Sequence, residues 1–232
     1  MFIGHFALGF AAKRVEPRLS LAVLFVAAQF ADLLWPLLVA LGLEQVRIDP
    51  GNTAVTPLDF VSYPYSHSLL LLCIWGIVLA ALVRLKPDAT TESTSYVASG
   101  ISRTSFVIAA LVVSHWFLDF FTHRPDMPLY PGGPKVGLGL WNSVPATIAV
   151  EFAMFAVGLW IYVRATRPRD AEGRWGFVTL AAFLAFVYVA NVFGPPPPSV
   201  TAIWIAGIGG GLVLVAWSGW VDRHRDGILA SS

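Results

Sequence analysis

The sequence predicts an all-α membrane protein, a polytopic bundle of six transmembrane helices preceded by a short, membrane-embedded N-terminal helix. Two observations lead to this fold class. Hydrophobic residues make up 56% of the 232 residues and charged residues only 12%, well below the roughly 25% of charged residues in soluble domains. The apolar residues also occur in long continuous blocks. This composition excludes a disordered chain, a coiled coil and a nucleic-acid-binding protein, and the single cysteine, Cys73, excludes an intrachain disulfide.

The first apolar segment, residues 1–12, would be about 18 Å long as a helix and is too short to cross a bilayer. It lacks the basic start and the cleavage site of a signal peptide, so we expect a short helix that is retained and tucked into the bundle. Six longer apolar segments follow, and their lengths suit spanning helices. We place the spans at residues 20–43, 66–86, 104–122, 143–165, 175–194 and 200–221. Residues 1–232 are expected to form a single integral membrane domain.

The distribution of Lys and Arg tests this topology. If residues 13–18 lie in the cytoplasm, 12 of the 15 basic residues fall in cytoplasmic segments. The three exceptions are Arg47, Arg124 and Lys135. This bias is the one that the positive-inside rule describes. It predicts a multi-pass protein of the inner (cytoplasmic) membrane with a cytoplasmic C-terminus.

A few ionisable residues lie within the predicted membrane segments, where such groups are costly and usually functional. The helical rise places five of them in the middle or outer half of the bilayer, namely His5, Asp32, His67, His115 and Asp119. His115 and Asp119 are four residues apart and share one helix face. Imidazole and carboxylate groups together suit zinc, iron or manganese. The sequence therefore predicts a divalent metal site, with zinc favoured, formed by these five residues.

Other polar and small residues in the spans have weaker functional signals. His123, Ser68 and Glu151 are possible additional members of the site, with Glu151 in a supporting or structural role. Each buried His or Asp could instead only hydrogen-bond a neighbouring helix, so a purely structural interpretation stays open. The last span contains a glycine-rich stretch, which we interpret as close helix packing rather than a phosphate loop. Its members are Gly207, Gly209, Gly210 and Gly211.

Four short motifs occur in a recognisable order, namely Gly4-His5, Ala31-Asp32, His67-Ser68, and Ser114-His115 with Asp119. In this order, over about residues 1–145, the chain resembles a family of bacterial inner-membrane proteins described as membrane-bound metal-dependent hydrolases. The resemblance implies hydrolytic activity and a metal held at these positions. The family's second acid near Asp32 and its histidine shortly before His67 are absent here. Their absence favours a mononuclear site over a dinuclear one, and His123 could replace one missing ligand.

The predicted function is that of a membrane-bound metal-dependent hydrolase acting at the outer half of the membrane. Such a site would activate water against a lipid or lipid-linked ester or phosphodiester, and the expected partners are membrane lipids and a small-molecule or lipid substrate. Asp32 and Asp119 are the candidate catalytic residues, the general base being whichever does not bind the metal. Two alternatives stay open: a proton- or ion-coupled transporter or permease, and a non-catalytic membrane factor. The sequence leaves the substrate, the metal and the oligomeric state open.

Overall fold

The computed structural model describes residues 1–84 and 94–228. The helices are α1 (Ile3–Val15), α2 (Leu21–Ala28), α3 (Phe30–Ala40), α4 (Pro64–His67), α5 (Leu69–Arg84), α6 (Thr94–Thr122), α7 (Val144–Ala165), α8 (Ala171–Phe193) and α9 (Val200–Arg223). A short 3₁₀ helix covers Leu140–Asn142. Short antiparallel ribbons in the connections pair β1 (Gln45–Ile48) with β2 (Leu58–Ser62), β3 (Met127–Pro128) with β4 (Lys135–Val136), and β5 (Thr166–Pro168) with β6 (Arg225–Gly227).

Within the described ranges, four helical segments are long and apolar enough to cross a bilayer. They are Arg103–Thr122, Val144–Ala165, Ala171–Phe193 and Val200–Arg223. The pair α2 and α3 raises the number to five if it is counted as one bent span. The apolar part of α5, Leu69–Val83, is shorter, and residues 85 and 86 of the predicted span lie outside the described part. The multi-pass helical class is therefore supported, whereas the predicted number of six full spans is not confirmed.

The predicted span 20–43 is divided into two helices, α2 and α3, which are bent by 61° relative to each other. The amide of Gln29 donates to the Phe25 carbonyl and the Gln29 carbonyl accepts from Leu33, so one helix ends and the next begins at the same residue. Hydropathy does not mark this break because both halves are apolar. The break leaves carbonyls in the last turn of α2 without helical partners and puts Asp32 in the first turn of α3.

Helix α1 is buried along most of its length, as expected for an embedded N-terminal helix. Its main neighbour is α7, and it also packs against α2 and α6. The close approach to α7 depends on Gly158, where an added Cβ would lie 2.5 Å from the Ala7 carbonyl oxygen. This packing carries His5 into the interior of the bundle.

Helix α9 packs against α2, α3 and α8. An added Cβ at Gly207 would lie 2.9 Å from Pro36, and one at Gly211 would lie 2.5 Å from Leu33. Close packing is therefore the correct interpretation for these two glycines. It is wrong for Gly210 and for its neighbour Gly209, because a Cβ at either position would meet no atom within 4 Å.

The charged loops form two groups at the two ends of the bundle. At one end, Lys13 Nζ lies 2.8 Å from Asp222 Oδ1, and the β5–β6 ribbon joins the α7–α8 connection to the segment after α9. In the β1–β2 region, Asp59 accepts hydrogen bonds from Arg47 and Arg124. The Lys and Arg distribution predicts that the first group lies on the cytoplasmic side.

Candidate metal centre

The structure brings His5, Asp32, His67, His115 and Asp119 together in one cluster. Their ligand atoms form two overlapping sets, each lying within 4.8 Å: His67 with His115 and Asp119, and His5 with Asp32 and His115. Four of the five side chains are at most 4% exposed, whereas the Asp32 side chain is 39% exposed. The cluster is therefore closed on most sides and accessible at Asp32.

The orientation of His115 is fixed by the break between α2 and α3. Its Nδ1 atom lies 2.9 Å from the carbonyl oxygen of Ala28. Because a carbonyl oxygen only accepts, Nδ1 carries a hydrogen, and in the neutral imidazole Nε2 then keeps its lone pair. Nε2 lies 3.1 Å from Asp119 Oδ2 but forms no hydrogen bond to any residue that the structure describes.

The orientation of His67 is also fixed by a hydrogen bond at Nδ1, in this case to Ser66. Ser66 Oγ lies 2.6 Å from Glu44 Oε2 and 2.7 Å from His67 Nδ1. The carboxylate only accepts, so Ser66 uses its single hydroxyl hydrogen on Glu44 and accepts from His67 Nδ1–H. The lone pair of His67 Nε2 then faces Asp119, whose Oδ2 atom is 3.8 Å away.

Glu44 was not predicted to contribute to the site. It is buried and also accepts hydrogen bonds from the backbone amides of Tyr65 and Ser66, at 2.8 and 2.9 Å. In the sequence it lies in a predicted outer loop, and no regular spacing connects it to His67. The only local signal was the hydroxyl of Ser66 beside His67.

The two oxygens of Asp119 have different surroundings. Oδ1 accepts from His5 Nε2 at 3.0 Å and from the backbone amine of Met1. Oδ2 faces the Nε2 atoms of His67 and His115. The His5 and His115 rings also stack, with centroids 3.6 Å apart and an interplanar angle of 1°. Donors therefore surround Oδ1, whereas ring nitrogens with free lone pairs lie around Oδ2.

Asp32 lies beside this set of acceptors. Its Oδ1 atom is 3.5 Å from His67 Nε2 and 3.7 Å from His115 Nε2. Asp32 also lines a cavity of about 660 Å³ among α3, α8 and α9. It is the residue of the cluster through which the site meets this cavity.

The chemistry of the donor atoms fits a divalent cation. When both imidazoles are neutral, Oδ2 of Asp119 and the two Nε2 atoms are all acceptors, and such atoms repel one another unless a cation lies between them. Zinc bonds to nitrogen and oxygen of about 2.0–2.2 Å place ligand atoms about 3–4 Å apart, which agrees with the distances of 3.1 and 3.8 Å. Metal-bound histidines also usually donate their other ring N–H to a carbonyl or carboxylate. His115 does so directly and His67 does so through Ser66.

His123, a possible additional ligand, lies next to the cluster but outside both ligand sets. Its Nδ1 atom donates to Asp126 Oδ1 at 2.9 Å, and its Nε2 atom is 4.0 Å from Asp119 Oδ2. The Tyr63 hydroxyl donates to the same Asp126 oxygen at 2.8 Å. Burial and the nearby Asp126 charge raise the pKa of Tyr63 well above its usual value, so the hydroxyl remains a donor.

Ser68 and Glu151 have structural contacts. Ser68 Oγ accepts from the backbone amide of Leu71 at 3.4 Å and thereby caps the first turn of α5. Glu151 Oε2 accepts from the amides of Phe2 and Gly4, at 2.8 and 3.3 Å, and so holds the start of α1 against α7. The supporting or structural role expected of Glu151 in the site stays a prediction.

The helical bundle and its buried imidazole and carboxylate groups define a multi-pass membrane protein with a candidate metal centre between its helices. The family of YdjM inner membrane proteins matches residues 1–194, and the chain belongs to that family. It is thus a multi-pass inner-membrane protein, and the match includes every residue of the cluster. No curated protein and no solved structure matches the chain.

Proposed function

We propose that this protein is a membrane-bound metal-dependent hydrolase. The observation that carries the proposal is the convergence of the His67 and His115 Nε2 atoms on Asp119 Oδ2, with Asp32 beside them. Three protein ligands with a remaining open position are typical of catalytic zinc sites, whereas structural sites are closed by four ligands.

In this proposal His67, His115 and Asp119 hold the metal, with zinc favoured. His5 orients Asp119 by donating to Oδ1, which keeps Oδ2 directed at the two ring nitrogens. A divalent metal bound there supplies Lewis acidity, which lowers the pKa of water into the neutral range. The residues around it exclude bulk water on every side except that of Asp32, because their side chains are nearly fully buried.

Asp32 is the general base in this scheme. Of the two candidate aspartates it is the one that reaches the cavity, since Asp119 is only 3% exposed. Asp32 accepts a proton from the attacking water, which adds to the carbonyl carbon or phosphorus of an ester or phosphodiester. The alcohol then leaves with that proton. The proposed substrate is a lipid or lipid-linked compound, because the cavity beside Asp32 is bounded by membrane helices.

Elemental analysis of the purified protein tests the metal centre. After zinc supplementation, wild type should retain bound metal and His115→Ala should lose it. His224→Ala is the matched control, because His224 contacts Asp170 and Glu172 far from the cluster along the chain and should retain metal. Background metal in supplemented wild type would overturn the proposal.

A second variant separates a hydrolase from a protein with a purely structural metal. Asp32→Asn should keep the metal but hydrolyse bis(p-nitrophenyl) phosphate or a p-nitrophenyl ester at least about 100-fold more slowly, the usual minimum loss of a general base. Equal rates in Asp32→Asn and wild type would exclude Asp32 as the base. Proteoliposome flux driven by a proton gradient, without hydrolysis, would instead support the transporter alternative.

A further inference from the structure

We infer that the cavity among α3, α8 and α9 binds the acyl chain of a membrane lipid whose polar, reacting group lies at Asp32. This inference rests on the proposed function, for which it supplies the substrate class. Its occupant is defined by the walls of the cavity, its length and the polar groups beside the cluster.

The cavity walls are mainly apolar. Large side chains from several elements line it, namely Trp35 and Phe60 on one side, Phe183 on α8, and Ile203 and Leu214 on α9. The volume of about 660 Å³ lies within the range of about 300–1,000 Å³ for ligand pockets. A small polar substrate would leave these walls in contact with water, whereas an acyl chain would cover them.

The length of the cavity suits one chain of one leaflet. The lining residues of α9 extend from Ala202 to Val215, a distance of about 20 Å at the helical rise of 1.5 Å per residue. Half of a hydrocarbon core of about 30 Å is about 15 Å. An extended acyl chain can therefore lie along α9 without leaving the cavity.

Two buried or half-buried acceptors lie where the cavity meets the cluster. Asp32 presents its carboxylate, and Gln29 is 5% exposed with an Oε1 atom that has no hydrogen-bond partner among the described residues. An unpaired buried acceptor is unfavourable, so a ligand with a hydroxyl or N–H group would satisfy it. The combination of an apolar channel and polar acceptors at the cluster is that of a site for an amphiphile.

Gly210 gives the cavity part of its width. It lines the cavity, and a Cβ built there would meet no atom within 4 Å. Gly209, the preceding residue, also has no atom within 4 Å of an added Cβ but does not line the cavity. Leucine should be accommodated at either position and have the same effect on helix propensity, but only Gly210→Leu fills the cavity.

Photo-crosslinking in nanodiscs tests the inference. The probe is a phosphatidylglycerol with a diazirine in its acyl chain, and mass spectrometry locates the labelled residues. Wild type should be labelled on the cavity walls, and excess unlabelled phosphatidylglycerol should displace that label. Gly210→Leu should lower cavity labelling about tenfold, because its side chain replaces contacts of roughly two methylene groups. Gly209→Leu should be labelled like wild type.

Labelling confined to the lipid-facing surface, such as Phe106 and Phe186, would overturn the inference, as would equal cavity labelling in both variants. The displacement experiment uses wild type alone and decides the question even if Gly210→Leu fails to fold. Metal content is measured in the same preparations. Bound metal without cavity labelling would contradict the inference and leave the proposed function standing, whereas cavity labelling with background metal would support the acyl-chain site and overturn the hydrolase.

Discussion

At the scale of single residues, Ser66 and Glu44 orient a residue of the candidate metal centre, His67, although neither faces Asp119. Ser66 Oγ lies between His67 Nδ1 and Glu44 Oε2. This chain of hydrogen bonds selects the tautomer in which His67 Nε2 is free to bind a metal. Partners of this kind typically change metal affinity or activity by about 10–100-fold.

Ser66→Ala should therefore weaken zinc binding by about 10–100-fold, while leaving the Glu44 contacts to the backbone amides in place. Competition with a chelator of known zinc affinity measures the change. Ser114→Ala is the matched control, because among the described residues the Ser114 hydroxyl bonds only to the Leu111 carbonyl of its own helix. If the two variants bind zinc equally well, Ser66 has no positioning role.

The cluster residues were predictable from the sequence because ionisable side chains are rare in membrane segments. The pair His115 and Asp119 was also predictable as a pair, since four residues separate them on one helix. The contacts of His115 with Ala28 and of Ser66 with Glu44 were not. They join elements distant in sequence, and such contacts follow from packing rather than from local spacing.

At the scale of elements, the close packing of α1 on α7 positions His5. Gly158→Leu would place side-chain atoms where the Ala7 backbone lies. We expect a loss of about 1–3 kcal/mol in the free energy of unfolding, the usual effect of overpacking, together with a lower metal content because Asp119 loses the donor from His5.

Chemical unfolding in detergent, with elemental analysis of the same samples, measures both effects. Gly209→Leu is the control for adding a leucine to a transmembrane helix, because its Cβ meets no neighbouring atom. If Gly158→Leu has the same stability and metal content as wild type, the position of α1 does not depend on its close approach to Gly158.

Most of the helices were predictable from the apolar blocks, but the predicted span 20–43 is divided into α2 and α3, and α6 begins at Thr94 rather than at residue 104. The bend between α2 and α3 was not predictable from hydropathy. Gln29 lies at the break, but a single polar residue within an apolar segment does not identify a break. The one proline of the segment, Pro36, lies inside α3 and not at the bend.

At the scale of the whole molecule, the two groups of charged loops are expected to set the orientation in the membrane. The end that contains Lys13 and Asp222 carries most of the basic residues and is expected to be cytoplasmic under the positive-inside rule. The C-terminal segment belongs to this end because β6 pairs with β5.

Reporter fusions test this orientation in bacterial cells. Green fluorescent protein fused to the C-terminus should fluoresce, and alkaline phosphatase fused there should be inactive. Alkaline phosphatase inserted after Gly51, in the exposed turn between β1 and β2, should be active and serves as the control for the opposite side. The reverse pattern of activities would show that the orientation is inverted.

The break at Gln29 also limits which changes in chain length this protein can tolerate. One inserted residue in the first turn of α3, ahead of Asp32, would rotate that aspartate and the rest of α3 by about 100° relative to α2. The segment would keep its hydropathy and would still insert into the bilayer, yet the carboxylate would leave the cavity. In this region the position of the Asp32 carboxylate depends on the number of residues between the break and Asp32, and not only on their polarity.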